Sequence, residues 1–415
     1  MTTAQWHSYT LESDPTGPLA GVRVLDMSRL VAGNMTSLQL ADFGADVIKV
    51  EPLPAGDPLR AWKQGGVSTF WKTYARNKRS LSLDFRKDGA VDLLKRLLPS
   101  VDILIEGFRP GTLEQMGLGP DQIELAYPRL IVLRVSGFGQ TGPYNSRPGF
   151  GTLVEGMSGF ASRNGEADGG PLLPPLALAD MIAGLYGSNA VMMALRARDV
   201  SGKGQVIDLS LLEAISSVLG PEPLDFQLTG KPKPRVGNGS NTSSPRNVYR
   251  SRDGHYIAIS ASIQRMAERL LRLIGREDML KDPRYATNEA RVKHRHEVDQ
   301  IVGDWIGQRD RDELLALFET NSITAAPIYT ISDIEQDKHF IEREVFVKVL
   351  DEDLGEIPMQ QPMPRLSRSP GNIRRAAPRL GQHSAEVLAE FGISQVDINR
   401  LITDELVGDD SGRSS

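Results

Sequence analysis

Asp180 has the residue type and the setting of a nucleophile. It stands in the segment PPLALADMIAGLYG, residues 174–187, as the only charged side chain. A carboxylate at the start of an apolar helix is kept ionised by the helix dipole although it is poorly hydrated, and such a group can attack a thioester carbonyl. The structural alternative is an N-cap, because an aspartate before an apolar helix satisfies free amide groups. From these residues alone the N-cap is favoured, and the two roles are compatible.

Basic residues in the first half of the chain could bind an anionic substrate. Arginine suits phosphate groups because its planar guanidinium donates two parallel hydrogen bonds. The alternative is a solvated surface, which these residues alone favour. The basic residues in question are Arg76, Lys78, Arg79, Arg86, Arg109 and Arg134.

The segment VGNGSN, residues 236–241, is the other candidate for substrate contact. Its two glycines permit backbone conformations that bring amide groups close to a ligand, as in a mobile flap. A plain linker explains the same composition equally well.

Several other chemistries are excluded by what the sequence lacks. With no cysteine, disulfides, thiolate metal sites and cysteine nucleophiles are impossible. None of the six histidines lies between residues 8 and 254, so histidine acid–base catalysis there needs another segment. The loop SRLVAGNM after the first predicted strand has no G-x-G-x-x-G pattern, and the chain has no P-loop and no G-x-S-x-G nucleophile elbow. His294 and His296 would face different sides of a helix, so no metal site is predicted.

Length and charge narrow the class of protein. A chain of 415 residues suggests two domains, or one domain with a large insertion, and a net charge of -5 argues against nucleic-acid binding. No run approaches ~20 uninterrupted apolar residues, so no membrane span is expected. The N-terminus lacks the basic and apolar regions of a signal peptide, and with the absence of cysteine this predicts a cytoplasmic protein.

The elements that must position these residues alternate between strands and helices. A strand at 22–27, a helix at 35–43 and a strand at 45–50 form a βαβ unit, which implies a parallel sheet. Buried-type strands recur further along the chain, so we expect a doubly wound α/β sheet. Asp180 begins a predicted helix that runs to Arg198. The other predicted strands and helices are strands at 81–83, 101–105, 130–135, 206–209 and 255–259, and helices at 89–98, 211–218, 263–274, 296–306, 314–318 and, as the last one, 384–391.

Seven segments in order along the chain resemble the class III CoA-transferase family, which includes formyl-CoA transferase, carnitine CoA-transferase and the 2-methylacyl-CoA racemases (the CaiB–BaiF group). The resemblance extends over nearly the whole chain, from about Gly17 to Gly392. Each segment alone is weakly specific, whereas the ordered set is highly specific. The segments are GVRVLDMSRLVAGNMTSLQLADFGADVIKVEPLPAGDPLR, RNKRSLSLDFRKDGA, VDILIEGFRPGTLEQMGL, YPRLIVLRVSGFGQTGPY, LADMIAGLYG, SGKGQVIDLSLLEA and APRLGQHSAEVLAEFG.

The resemblance implies a fold and an assembly. The large domain would be Rossmann-like and built from both ends of the chain, with a smaller α/β domain, and two chains would interlock as a homodimer. The expected domains are the first part of the large domain (17–220), a linker with the flap (221–247), the small domain (248–330), and a linker with the C-terminal part of the large domain (331–415). A related partner chain remains an alternative to the second copy.

The resemblance also implies an activity and its residues. The chain would be an acyl-CoA:carboxylate CoA-transferase with no tightly bound cofactor, and the family's nucleophilic aspartate falls on Asp180. Because many relatives use succinyl-CoA, a dicarboxylic donor is expected. The implied CoA-binding residues are Val31, Ala32, Leu83, Arg86, Gly107, Phe108, Arg109 and Ser136, and the implied flap residues are Gly237, Asn238 and Gly239.

Departures from the family pattern restrict the activity. Gly107 replaces a usual asparagine, while Gln115 and Ser136 replace basic residues of some members, which redistributes the phosphate contacts. The flap is less glycine-rich than in formyl-CoA transferase, which argues against formyl and oxalate substrates. Phe150 stands where racemases carry a histidine, and a racemase needs a base on each face of the α-carbon. The alternatives are a racemase, a CoA-linked lyase, or a non-catalytic CoA-binding subunit.

Overall fold

The computed structural model describes residues 6–12 and 16–410, which belong to two compact units. Unit 1 is drawn from Met1–Ser158, Pro174–Val218 and Lys338–Ser415, and unit 2 from Gly159–Leu173 and Leu219–Asp337. The expected domain boundaries at 220, 247 and 330 stay predictions, and the units are described by their own bounds.

Strands and helices alternate through most of the described chain. The strands are β1 (Arg23–Met27), β2 (Asp46–Glu51), β3 (Lys78–Leu83), β4 (Ile103–Glu106), β5 (Ile131–Ser136), β6 (Val206–Ser210), β7 (Arg246–Arg250), β8 (Tyr256–Ser260), β9 (Ala325–Pro327), β10 (Phe346–Asp351), β11 (Gly355–Gln360) and β12 (Val407–Gly408). The α-helices are α1 (Ala32–Asp42), α2 (Thr69–Tyr74), α3 (Ala90–Leu97), α4 (Thr112–Gln115), α5 (Pro120–Ala126), α6 (Gly151–Met157), α7 (Phe160–Arg163), α8 (Leu178–Ser201), α9 (Leu211–Ser217), α10 (Glu222–Thr229), α11 (Gln264–Leu273), α12 (Asn288–Lys293), α13 (Arg295–Ile306), α14 (Arg311–Thr320), α15 (Ile331–Ile334), α16 (Lys338–Glu342), α17 (Ser384–Glu390) and α18 (Gln395–Thr403).

A seven-stranded sheet forms the centre of unit 1, in the order β12-β3-β2-β1-β4-β5-β6. Strands β1 to β6 pair in parallel, and β12 adds an antiparallel edge to β3. Strands β1 to β5 are buried almost throughout, as expected when both faces of a parallel sheet are covered. The predicted α/β fold with a mostly parallel central sheet is confirmed. The strand order is that of a doubly wound sheet whose direction of growth reverses between β1 and β4.

Most predicted elements of the sheet lie within two residues of their observed bounds, but the chain beyond residue 391 was wrongly read. The helix at 384–391 was predicted to be the last, whereas α18 and β12 follow it. Strand β12 has only two residues, Val407 and Gly408, so its pairing with β3 depends on tertiary packing rather than on a run of strand-forming residues. Helix α10 was not predicted either, because it lies in the segment 221–247 that was expected to be a linker with the flap.

Unit 2 is built on the antiparallel sheet β7-β8-β9. Helices α11, α13 and α14 pack with this sheet around apolar side chains that include Ile257, Leu270, Val302 and Phe318. This core is separate from the one that surrounds the central sheet of unit 1.

Helix α8 is the longest helix and packs along α1. Gly184 allows the close approach, since a Cβ there would lie 2.6 Å from the Met35 side chain. By length and composition alone α8 could cross a membrane, a test that core helices also pass. Part of its apolar surface is uncovered, and the exposed apolar side chains on it include Leu185, Met192, Met193 and Val200.

Candidate active site

A cavity of about 380 Å³ lies in unit 1 at the carboxyl ends of β1, β4 and β5. Its walls come from the loops that follow these strands, from the starts of α1 and α8, and from Leu211. This is the crevice where the order of the sheet reverses, which is where ligands bind in open parallel sheets. The loop that follows β5 supplies the residues 136–137, 145 and 147–150.

Asp180 lies in the first turn of α8 and borders this cavity. The N-cap interpretation is wrong, because α8 begins at Leu178 and Ala177 holds the N-cap position. The Ala179 amide is instead satisfied by a neighbouring helix, donating to Oε1 of Glu155 on α6 (3.0 Å). No side-chain hydrogen bond or ion pair links the Asp180 carboxylate to another residue of the described chain, and its one hydrogen bond comes from its own backbone amide.

The environment of Asp180 raises the pKa of its carboxyl group to about 6. Burial is the main cause, the negative charge of Glu155 adds to it, and the backbone amide of Asp180 opposes it. At pH 7 about nine-tenths of such a group is ionised. The carboxylate is therefore charged, poorly hydrated and more basic than an ordinary aspartate, which are properties of a good nucleophile.

Gly151 at the start of α6 makes room for this carboxylate. A Cβ built on Gly151 would lie 2.1 Å from Oδ2 of Asp180 and 3.8 Å from Oε1 of Glu155. No side chain larger than hydrogen fits at this point without moving the nucleophile. The glycine is needed here for close approach and not for backbone freedom.

A network of buried charges holds the loop between β1 and α1 at the cavity wall. Nζ of Lys49 donates to the Ser28 carbonyl, and Nζ of Lys78 donates to the carbonyl and side-chain oxygens of Asn34 (3.0 and 2.9 Å). Asp57 accepts hydrogen bonds from the Leu30 amide and from Asn34. Burial lowers the pKa of Lys78 to about 8. Lys78 is thus neither a phosphate-binding residue nor part of a solvated surface.

Three other basic residues were also misread as a rim or an exposed face. Each is buried and donates to carboxylates, so none is available to a ligand. The sequence shows the basic residues but not their acidic partners, which are distant along the chain. The pairs are Arg76–Asp42, Arg79–Asp46 and Arg134–Glu106.

The structure brings five of the eight implied CoA-binding residues to this cavity. They are Ala32, Gly107, Phe108, Arg109 and Ser136. The remaining three do not line it: Val31 is buried beside it, Leu83 lies in the core under β12, and Arg86 is exposed and paired with Asp84 (2.7 Å). All eight assignments stay predictions for CoA contact.

The implied flap, Gly237 to Gly239, belongs to unit 2. Gly237 has a φ of +56°, and its amide donates to the Gly165 carbonyl (2.9 Å). The Gly239 amide donates to the Val236 carbonyl (2.9 Å), so only the Asn238 amide has no carbonyl acceptor within the described residues. In this arrangement two of the three amides are not free to stabilise an oxyanion.

Sequence reasoning missed four residues around Asp180. For Glu155 and Gly151 the sequence contained one signal. The segment GTLVEGM is apolar apart from one acid, and it begins with a small residue. Arg29 and Arg147 reach the cavity from separate loops, and proximity of that kind leaves no local pattern. The Arg147 guanidinium lies 3.7 Å from the centre of the Tyr144 ring.

The model of CoA-transferase family III matches residues 19–384 of the chain. The chain belongs to this family, and it is a CoA-transferase. It is 39% identical over 391 residues to succinyl-CoA–D-citramalate CoA-transferase of Chloroflexus aurantiacus, covering 93% of this chain and 97% of that one. It is 38% identical to the beta subunit of succinyl-CoA–L-malate CoA-transferase of the same organism, covering 93% and 97%. A CAIB/BAIF family protein from Brucella suis superposes with a TM-score of 0.79 at 33% identity, covering 91% and 100%.

Proposed function

We propose that this CoA-transferase moves CoA from a dicarboxylic acyl-CoA, with succinyl-CoA as the first candidate, to a second organic acid through covalent intermediates on Asp180. The observation that carries the proposal is the Asp180 carboxylate itself, which borders the cavity with no partner on another residue of the described chain and with its pKa raised to about 6.

The proposed reaction has four displacements. The Asp180 carboxylate attacks the donor carbonyl, the C–S bond breaks, and CoA thiolate leaves a mixed anhydride. The thiolate attacks the Asp180 carbonyl, which releases the donor acid and leaves an aspartyl-CoA thioester. The acceptor carboxylate displaces the thiolate to form a second anhydride, and the thiolate then attacks the acceptor acyl carbon. The products are the new acyl-CoA and free Asp180, and no ATP is consumed because the net reaction exchanges one CoA thioester for another of similar transfer potential.

Three arginines in the cavity support a substrate with several negative charges. The side chains of Arg29, Arg109 and Arg147 line it and make no hydrogen bond or ion pair within the described residues. They are available to CoA phosphates or to the distal carboxylate of a dicarboxylic acyl group. The relatives that act on D-citramalate and L-malate use dicarboxylic acids of this kind.

The composition of the cavity supports acyl transfer over racemisation. Among its lining residues, only Asp180 carries a carboxyl, imidazole, amine or phenol group. Phe150 occupies the wall where a racemase would need its second base. One base on one face of the α-carbon does not interconvert enantiomers.

We also propose the interlocked homodimer and a cytoplasmic location. An apolar surface in unit 1 supports the assembly, because monomers rarely leave several large apolar side chains exposed together. The large apolar side chains exposed on α6 and α8 include Leu153, Met157, Leu185, Met192, Met193 and Val200, of which Met192, Met193 and Val200 line one shallow depression. The alternative is a related partner chain, since one relative is named as a beta subunit.

The experiment is an exchange assay with purified protein, succinyl-CoA and a panel of carboxylic acids, read by mass spectrometry of the CoA esters. Asp180→Asn should abolish exchange, whereas Asp199→Asn, a surface acid on the same helix, should not. Hydroxylamine added with succinyl-CoA should modify Asp180, because it attacks acyl carbons at the anhydride or thioester stage. Near-normal turnover in Asp180→Asn, or an unmodified Asp180 peptide, would contradict the covalent mechanism.

A further inference from the structure

Glu155 is a buried acid that the proposed reaction does not use. Glu155 is only 2% exposed to solvent. No arginine, lysine or histidine pairs with its carboxylate in the described part of the chain. Burying a carboxylate without a cationic partner is costly. The only hydrogen bond to its carboxylate in the described chain comes from the Ala179 amide, at 3.0 Å.

This hydrogen bond replaces the cap that α8 lacks. Ala177, at the N-cap position, has no side-chain acceptor, and the first-turn amides of a helix need one when they are buried. Asp180 is in the same first turn and would otherwise be the nearest carboxylate to take that role. Because Glu155 accepts from the Ala179 amide, the Asp180 carboxylate does not cap that amide and accepts only from its own amide.

The position of Glu155 also brings two carboxylates together. A Cβ on Gly151 would lie 2.1 Å from Oδ2 of Asp180 and 3.8 Å from Oε1 of Glu155, so these two oxygens are at most 5.9 Å apart, the sum of the two distances. Two like charges at this range repel each other, and burial weakens the screening by water.

We propose that Glu155 is a positioning residue that caps α8 from the neighbouring helix, which leaves the Asp180 carboxylate without a partner on another residue, and that its charge makes this carboxylate more basic for acyl transfer. The inference rests on the proposed function of Asp180 and adds a second residue to it. The cap helps to set the place of the nucleophile, and the charge adds to the basicity that burial gives it. A carboxylate of higher basicity attacks a carbonyl faster, provided that it is ionised at the working pH.

Other charged groups near α8 do not explain the basicity of Asp180. Among charged side chains, Glu155 alone contributes to the raised pKa of Asp180, second to burial. The remaining titratable groups on elements packed against α8, or in the cavity, are Asp42 on α1, Lys72 and Tyr74 on α2, Arg134 on β5, Asp208 on β6, Glu213 on α9, and Arg29, Arg109 and Arg147 in the loops.

Two substitutions separate the cap from the charge. Glu155→Gln keeps an oxygen acceptor for the Ala179 amide and removes the charge, so the acid limb of kcat/KM should move from near pH 6 to lower pH, with turnover at pH 7.5 within about threefold of wild type. Glu155→Leu removes both, so kcat should fall at least tenfold at every pH while KM for the acyl-CoA changes less than twofold. Glu213→Gln removes an exposed charge on α9 and should leave the acid limb in place.

A second readout does not depend on turnover. Infrared difference spectra between wild type and Asp180→Asn, recorded across pH 4–8, report protonation of the Asp180 carboxyl directly. Glu155→Gln should lower the midpoint pH at which the Asp180 carboxyl is protonated. An unmoved midpoint and an unmoved acid limb would overturn the role of Glu155, even if Asp180→Asn is inactive. Full activity in Asp180→Asn would instead defeat the proposed function, whatever Glu155 does. If Glu155→Leu fails to fold, Glu155→Gln still decides whether the charge of Glu155 raises the basicity of Asp180.

Discussion

Gly151→Ala places one methyl group against the nucleophile. The new Cβ would lie 2.1 Å from Oδ2 of Asp180, and ordinary contact begins at 3.4 Å, so the oxygen must move by about 1.3 Å. The backbone itself tolerates the change, because Gly151 is the first residue of α6 and is not among the residues with positive φ. The substitution therefore tests the position of one carboxylate with little demand on the fold.

We expect Gly151→Ala to lower kcat. A misplacement of about 1 Å at a reacting atom lowers the rate about 100-fold, and the displacement here is at least as large. Stability should change by no more than about 1 kcal/mol, since alanine favours a helix and the clash is with a side chain that can rotate. Asp180 would remain a buried aspartate, so a loss of activity would result from the displacement of its carboxylate alone.

The assay is CoA exchange measured by mass spectrometry, with urea unfolding of each variant as the stability check. Gly156→Ala is the matched control on the same helix, because its Cβ would meet no atom within 4 Å. It should retain wild-type turnover and unfold at an equal or higher urea concentration. If Gly151→Ala keeps turnover within threefold of Gly156→Ala, Asp180 does not depend on this space and the reasoning fails.

Two further predictions concern stability and assembly. The pKa of Asp180 is raised from 3.8 to about 6 by folding, so its ionisation opposes folding above pH 6, and this cost disappears as the pH falls below 3.8. Asp180→Asn should therefore unfold with a free energy up to about 3 kcal/mol higher at pH 8, with no gain near pH 3.5; a loss of stability at pH 8 in urea titrations would contradict this. Met193→Glu places a charge on the apolar surface of α8 and should shift the mass measured by light scattering from about 91 kDa, twice the chain mass of 45.5 kDa, towards the monomer. Val396→Glu, an exposed control on α18, should not, and a monomeric wild type would refute the homodimer.

The strands of the central sheet were predictable because local patterns dictate them. Runs such as those of β1, β4 and β5 are apolar on both faces and therefore indicate buried parallel strands wherever they occur. Strand β12 was not predictable, since two residues carry no periodicity. Its pairing with β3 depends on the packing of α17 and α18, which brings Val407 and Gly408 to the sheet edge.

The buried basic residues mark the limit of composition as a guide. Lys78 and Arg79 read as a cationic surface because charge is a property of each residue, while burial and pairing are properties of the fold. Their partners, Asn34, Asp46 and Glu390, are 33 to 311 residues away along the chain. A basic cluster in a sequence is thus compatible with a ligand site, an exposed face or an internal network, and only the structure separates them.

For the nucleophile, the sequence alone determined that one acid, Asp180, stands in an apolar helical segment, and ordered motifs pointed to its family. The tertiary structure determined whether this carboxylate caps its own helix and how basic it is. Whether an aspartate caps its own helix depends on which other acceptor reaches the first turn, and here Glu155 of a different helix does so. The space at Gly151 and the charge at Glu155 act across helices, through distances that no spacing along the chain encodes.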